Sequence, residues 1–245
     1  MIELIKYSYR GFRMRYKVDP NELNYIVKNI NEGDVVLDIG AHKGGYLYWM
    51  EKAVKKKGKV YAFEPQVKLF NYLKGIVKLK KYSNVTIENL GLSSEEGEVS
   101  FFIPKNEKGV SPSARIGHLD DGTTYDEAKI KITTLDKYFF DRNIQPSLLK
   151  IDVEGHEKQV LLGGINLLKL AKPKIVMECE NRHLKEGNVF DVFAVLIDLG
   201  YSGFFFQENE LKPLANFDPE KHQKIKDGNI LDWKNYVNNF VFEFV

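Results

Sequence analysis

A doubly wound α/β sheet is the architecture expected of this chain, and three features lead to it. Short apolar runs alternate with amphipathic helical stretches over most of its length, the pattern of parallel strands joined by right-handed crossovers. The first strand-to-helix turn is rich in glycine, at Gly40, Gly44 and Gly45. Acids stand at or just beyond the ends of several strands, where an open parallel sheet binds its ligands.

The 245 residues, 43% hydrophobic and 29% charged, suit one large domain or one with an embellishment at roughly 100–200 residues per domain. That apolar fraction excludes a mainly disordered chain. Thirty-six Lys+Arg against 34 Asp+Glu give a net charge of +2, so no global pull toward nucleic acid is expected. The single cysteine, Cys179, excludes an intramolecular disulfide and a Cys-rich zinc cluster. The start, MIELIKYSYRGFRMRY, has no signal-type apolar run, and no later stretch approaches a membrane span. A soluble, cytoplasmic protein is expected.

Residues 1–33 read as an amino-terminal segment with a capping helix, and 34–245 as the main domain. Asp19-Pro20-Asn21-Glu22 is a helix start, with Asp19 as cap, Pro20 at the first position and Glu22 as capping-box acid. Leu23, Ile26, Val27 and Ile30 continue at helical spacing, and Gly33 can end the helix. VVLDIG (35–40) is a buried strand, and AHKGG turns the chain into a helix reaching about Lys55. KVYAFEP (59–65) is the second strand, followed by a helix with Phe70, Leu73 and Val77 on one face. VTIENLGL (85–92) is the third.

EVSFFIP (98–104) and AKIKITTL (128–135) then form an inserted hairpin, joined by the long polar stretch Lys105 to Glu127. Loops beyond about 12–15 residues usually serve as lids or binding loops, so 104–127 is expected to be a substrate loop. Alternation resumes with strand LLKIDV (148–153), a helix from His156 to about Lys172, strand KIVMECE (174–180) and a helix from Asn188 to Leu199 capped by Gly200. Strands YSGFFFQ (201–207) and NFVFEFV (239–245) close the chain, the last expected to be antiparallel at or near an edge.

In the turn Asp38-Ile39-Gly40-Ala41-His42-Lys43-Gly44-Gly45, the glycines permit a tight bend and close approach of a ligand. The helix that follows offers free N–H groups to a carboxylate or phosphate. Glu64 ends the second strand, 24 residues after Gly40, where an acid accepts hydrogen bonds from a ribose diol. A dinucleotide fingerprint needs glycine where His42 stands, and Asp38 would repel a diphosphate. S-adenosylmethionine suits the turn better, having a ribose for Glu64, a carboxylate for the helix start and two cationic groups that tolerate nearby acids.

VVLDIGAHKGGY, VYAFEPQ, NLGLSSEEGEVSF, ITTLDKYF and LLKIDVEGHEKQVLLGG, in this order, resemble the FkbM family of S-adenosylmethionine-dependent O-methyltransferases, from about Asp34 to Glu180. The resemblance implies a Rossmann-like, seven-stranded class I methyltransferase sheet, mostly parallel. It implies cofactor contacts from Asp38, Gly40, Ala41, His42, Gly44, Glu64, Asn89, Leu90 and Asp152. His42 departs from the family, which more often has Asn there. The acceptors implied are hydroxyls of sugars or natural-product scaffolds.

A second group of acids follows the later strands. Asp152 and Glu154 lie two apart, Gly155 allows a turn, and His156 opens the next helix, with Glu157 in its first turn. The neighbouring strand adds Glu178 and Glu180, with His183 just beyond. Methyl transfer from a sulfonium is an in-line displacement that also needs the acceptor proton removed, by a group titrating near ambient pH. His156 is the first candidate base and His183 the second, with Asp152 and Glu154 beside them. Asp152, Glu178 and Glu180 also form a candidate magnesium set, which the sequence permits without requiring. Ser111, Ser113, Arg115, His118, Asp120 and Asp121 belong to the expected acceptor loop. Tyr7, Tyr9, Arg10, Phe12, Arg13 and Arg15 are read chiefly as a segment packed on the domain edge. The expected partner is a small-molecule or glycan acceptor, with no nucleic acid and no set oligomeric state. The rival readings are an NAD-dependent oxidoreductase and a non-catalytic cofactor-binding member.

Overall fold

The computed structural model describes residues 2–105, 109–117, 122–226, 229–230 and 235–244. The first half carries α1 (Ile2–Arg13), α2 (Pro20–Asn29), β1 (Val35–Ile39), α3 (Gly45–Val54), β2 (Lys59–Phe63), α4 (Val67–Lys80) and β3 (Val85–Glu88). Next come β4 (Gly91–Leu92), β5 (Gly97–Pro104), β6 (Arg115–Ile116) and β7 (Tyr125–Thr133). The remainder is β8 (Leu148–Ile151), α5 (Glu157–Leu162), α6 (Ile165–Ala171), β9 (Lys174–Glu178), α7 (Val189–Asp198), β10 (Tyr201–Gln207) and β11 (Glu210–Pro213). It closes with α8 (Pro219–His222), β12 (Ile225–Lys226), β13 (Asn229–Ile230) and β14 (Asn239–Phe244).

Eight strands form the main sheet in the order β11-β10-β14-β9-β8-β1-β2-β3. From β3 through β9 neighbours are parallel, while β14 is antiparallel to both β9 and β10. The doubly wound expectation holds. Seven strands match it, and β11 adds an eighth through a hairpin whose turn residues Glu208 and Asn209 both have positive φ. The terminal strand is antiparallel as expected but lies two strands in from the edge, because β14 inserts between β9 and β10.

Strand alternation sorts the core into two layers. Leu37, Ile39, Leu149, Ile151, Ile175 and Met177 face Val160, Leu167, Phe193 and Leu196 on one side. Val36, Val60, Ala62, Leu148 and Val176 face Leu23, Ile26, Leu47, Met50, Leu73 and Ile76 on the other. The buried stripe of α4 is Leu69, Leu73 and Ile76, with Phe70 and Val77 at its margins. The amino-terminal segment packs on α3 and α4: Tyr7 is fully buried, and Arg10 donates to the Lys43 carbonyl (3.1 Å) and the Tyr72 hydroxyl (2.9 Å). Asp19 does not cap α2; its carboxylate accepts instead from the Tyr46 hydroxyl at 2.9 Å.

Two expected elements are divided. The run 85–92 splits at Asn89-Leu90 into β3 in the main sheet and β4 in a smaller one, ordered β4-β7-β5-β6 around the expected hairpin. Asn89 holds the break by donating to the carbonyls of Glu64 and Pro65, both at 2.9 Å. The helix expected from His156 to Lys172 breaks at Gly163-Gly164 into α5 and α6. A β-carbon at Gly163 would stand 2.0 Å from the Ser93 carbonyl oxygen, so the chain passes there only as glycine. Among the described residues no helix is long and apolar enough to cross a membrane.

Gly163→Ala is therefore expected to lower stability in urea denaturation by about 2 kcal/mol or more, since a backbone oxygen cannot swing aside. Gly75→Ala, inside α4 with nothing within 4 Å of the added carbon, should raise it by about 0.5–1 kcal/mol.

Candidate active site

A cavity of about 220 Å³ opens at the carboxyl ends of β1, β2 and β8. It lies beside the point where strand order reverses, between β1 and β8. Gly40, His42, Glu64, Leu90, Asp152, Glu154, His156 and Glu178 all line it. Asp38, Ala41, Gly44, Asn89, Glu180 and His183 are not on its wall. Asp38 and Ala41 are buried beside the turn, and the Asn89 amide is spent on backbone carbonyls.

The glycines of the turn are required by the protein itself rather than by room for a ligand. At Gly40, φ is +84°, and a β-carbon would fall 1.8 Å from the Asp152 carbonyl oxygen. At Gly44 it would meet Leu73 and Tyr7, and at Gly45 the Met14 side chain. His42 has φ of +46°, a left-handed conformation in which Asn, Asp and His are enriched among non-glycine residues. Its backbone N–H donates to Glu64 Oε2 at 2.7 Å, and Gln66 N–H donates to Glu64 Oε1 at 2.8 Å. Glu64 thus ties the first turn to the second while lining the cavity. Burial raises its pKa to about 7 against the pull of those two hydrogen bonds.

Beneath the cavity lies a buried charge group that sequence reasoning missed. Lys150, in the apolar run of β8 and 2% exposed, donates from Nζ to Asp152 Oδ2 at 2.6 Å. Burial presses its pKa down, but Asp152, Asp38 and Glu178 together hold it above the ordinary lysine value. A lysine inside LLKI was the available signal, because a buried cation demands anionic partners. Asp38 stands opposite Lys150 across the β1–β8 pairing. Neither of its carboxylate oxygens has a hydrogen-bond partner, although the nearby Leu47 N–H favours the anion. Burial first, then Asp152, raise its pKa to about 6, with Lys150 opposing.

The second acid group is partly assembled. Glu154 has φ of +54°. Its Oε2 lies 3.1 Å from His183 Nδ1, off hydrogen-bond geometry, and 3.7 Å from Arg115 Nη2. Gly155 makes this juxtaposition feasible, since a β-carbon there would sit 2.1 Å from the His183 carbonyl oxygen. Burial raises the Glu154 pKa, Asp152 adds to this, and Arg115 opposes it. Burial lowers His183 to about 4, and does the same to His156. The His156 Nε2 pairs with Ser93 Oγ at 2.9 Å. Glu157 is no surface acid: it is 2% exposed, accepts from Gly155 N–H at 2.9 Å and has its pKa raised to about 7 by burial.

The candidate magnesium set is not brought together. Burial would raise the Glu180 pKa, but the Arg182 guanidinium and Tyr236 hydroxyl outweigh it, and Arg182 engages both carboxylate oxygens (2.7 and 3.0 Å). Glu178 Oε1 accepts from Asn238 and Asp152 is held by Lys150. Among the described residues no three His, Cys, Asp or Glu side chains are placed to share a metal ion. Of the long loop, residues 104–105, 109–117 and 122–127 are described, and Pro112, Ala114 and Ile116 close one side of the cavity. Gln66 clamps this segment, donating to the Ser111 carbonyl (2.8 Å) and accepting from Ser111 N–H (3.0 Å). His118, Asp120 and Asp121 lie outside the described residues.

A Rossmann-like sheet with this strand order, and a cavity at the carboxyl ends flanked by a glycine turn and a strand-end acid, has the class I methyltransferase architecture. Residues 38–203 match the Methyltransferase FkbM domain, and the chain belongs to that family. That family is one of methyltransferases rather than of dinucleotide-dependent oxidoreductases. The chain is 28% identical over 148 residues to the hexuronic acid methyltransferase AglP of Haloferax volcanii, a match covering 60% of this chain and 56% of that protein. Its fold is similar to the crystal structure of Methyltransferase FkbM from Methylobacillus flagellatus, with a TM-score of 0.55 and 13% identity, over 98% of this chain and 54% of that one.

The Asp38 carboxyl gives a pH test. Its folded pKa of about 6 lies above the unfolded value of 3.8, so its contribution to stability is present below about pH 4 and lost as pH rises through 6. Asp38→Asn removes that titration. Its melting temperature relative to the parent should climb between pH 4 and pH 8, by an amount corresponding to on the order of 2 kcal/mol; a difference independent of pH would refute the assignment.

Proposed function

We propose that the protein is an S-adenosylmethionine-dependent O-methyltransferase acting on a hydroxyl of a saccharide or secondary metabolite. The observation that carries this reading is one cavity lined by the strand-end acid Glu64 together with Asp152, Glu154 and Glu178. Each Glu64 oxygen accepts one backbone N–H, leaving lone pairs free for ribose hydroxyls. Asp38, orphaned and buried, and the acids raised by burial all favour a cationic ligand, as a sulfonium carrying an α-ammonium is. The bound cofactor would supply the methyl group. FkbM membership and the saccharide-methylating relative support the substrate class.

Holding the acceptor in line with the methyl carbon can contribute about 7–11 kcal/mol, and proton removal roughly 10²–10⁴-fold. Glu154 is the better-suited base. It lines the cavity with its pKa raised, closer to ambient pH than His156 or His183 at about 4. Arg115, 3.7 Å away, favours the ionised glutamate that accepts the proton. His156, through Ser93, acts as a positioning residue. No metal enters this scheme: among the described residues no three acidic, imidazole or thiol side chains are placed to share one.

Calorimetry with S-adenosylhomocysteine should show binding, weakened about tenfold or more by Glu64→Gln. Silence with both the methyl donor and its product would sink the proposal. In a screen of hydroxylated acceptors, Glu154→Gln should cut kcat by about 10²-fold or more with cofactor affinity nearly intact. His156→Ala should cost less, and chelation should leave turnover unchanged. A larger loss at His156 would restore the imidazole as base.

A further inference from the structure

We propose that a second cavity on the same sheet edge, formed by Asn21, Glu22, Phe206, Gln207, Asn209 and Asn238, binds a neutral sugar unit adjoining the one that is methylated. This rests on the saccharide-methyltransferase reading above and extends it to an acceptor of at least two units. The cavity measures about 260 Å³. Asn21 and Glu22 come from the first turn of α2, and Phe206 and Gln207 from the carboxyl end of β10. Asn209 sits in the turn to β11, and Asn238 immediately precedes β14.

The lining chemistry selects the ligand. Side-chain amides present donor and acceptor side by side, the complement of vicinal hydroxyls, and amides dominate this wall. Phe206 offers a ring against the C–H face of a sugar. Glu22 is 9% exposed; beyond its own backbone N–H, no described side chain hydrogen-bonds to it. No lysine or arginine lines the cavity among the described residues, which disfavours a phosphate, sulfate or uronate, and the polar wall disfavours an acyl chain.

The two cavities share a partition. Asn238 Nδ2 donates to Glu178 Oε1 at 3.1 Å; Glu178 lines the methyl-transfer cavity and Asn238 the second one. The register sets this, because Asn239 of β14 stands opposite Glu178 of β9. A glycan with its reacting unit over Asp152 and Glu154 can therefore extend along the edge toward Asn209.

A glycan array of neutral mono-, di- and trisaccharides, with uronate-capped and sulfated members, tests this using the full chain saturated with S-adenosylhomocysteine. Neutral di- or trisaccharides should be retained at least tenfold better than monosaccharides. The double substitution Asn21→Ala with Asn209→Gly should abolish that preference, leaving melting temperature and S-adenosylhomocysteine affinity unchanged. Alanine suits a helix, and glycine suits the φ of 65° at position 209. Glu64→Gln should retain glycan binding, separating failure of the cofactor site from failure of this one. Absence of neutral-saccharide binding, a preference for acidic glycans, or retention by the double variant would each overturn the proposal.

Discussion

The site hangs on one backbone contact, where the end of β1 meets the end of its parallel neighbour β8. Asp152 N–H donates to the Ile39 carbonyl at 3.0 Å, and the Asp152 carbonyl occupies the volume that any side chain at position 40 would need. On one side of this seam the chain bends through Gly40 and His42 to meet Glu64. On the other it delivers Asp152, Glu154 and, past Gly155, the helix bearing Glu157. Side chains far apart in sequence face one cavity because two strand ends approach more closely than any residue but glycine permits.

Buried charge is the second organising feature. Lys150 is buried and is held by Asp152, with Asp38 and Glu178 nearby. Such a group costs desolvation and fixes geometry more than it stabilises. It fixes the Asp152 carboxylate at the cavity wall through one oxygen, Oδ2. It also leaves Asp38 with an excess of negative charge that a cationic ligand would offset.

The glycine turn shows how a correct reading can rest on a different cause. The glycines at 40, 44 and 45 mark a strand-to-helix bend, as their spacing suggests, yet each is filled by the protein's own atoms: a carbonyl, a pair of side chains and a methionine. Ligand approach is left to the rim formed by His42 and Glu64. Likewise the pairing of Glu154 with His183 depends on Gly155 meeting the His183 backbone, a contact across 28 residues of chain that no local pattern announces.

Periodicity and turn chemistry alone determined the alternating elements, the strand-end position of Glu64 and the concentration of acids after the later strands, because these follow from local backbone preference and burial. The division of 85–92 between two sheets, the insertion of β14 inside the sheet and the break at Gly163 were decided by tertiary packing. So were the capture of Glu180 by Arg182 and the different surroundings of Glu154, His156 and His183. The physical reason is common to all of them. A side chain's charge state and reach depend on which neighbours exclude water from it, and those neighbours come from distant parts of the chain.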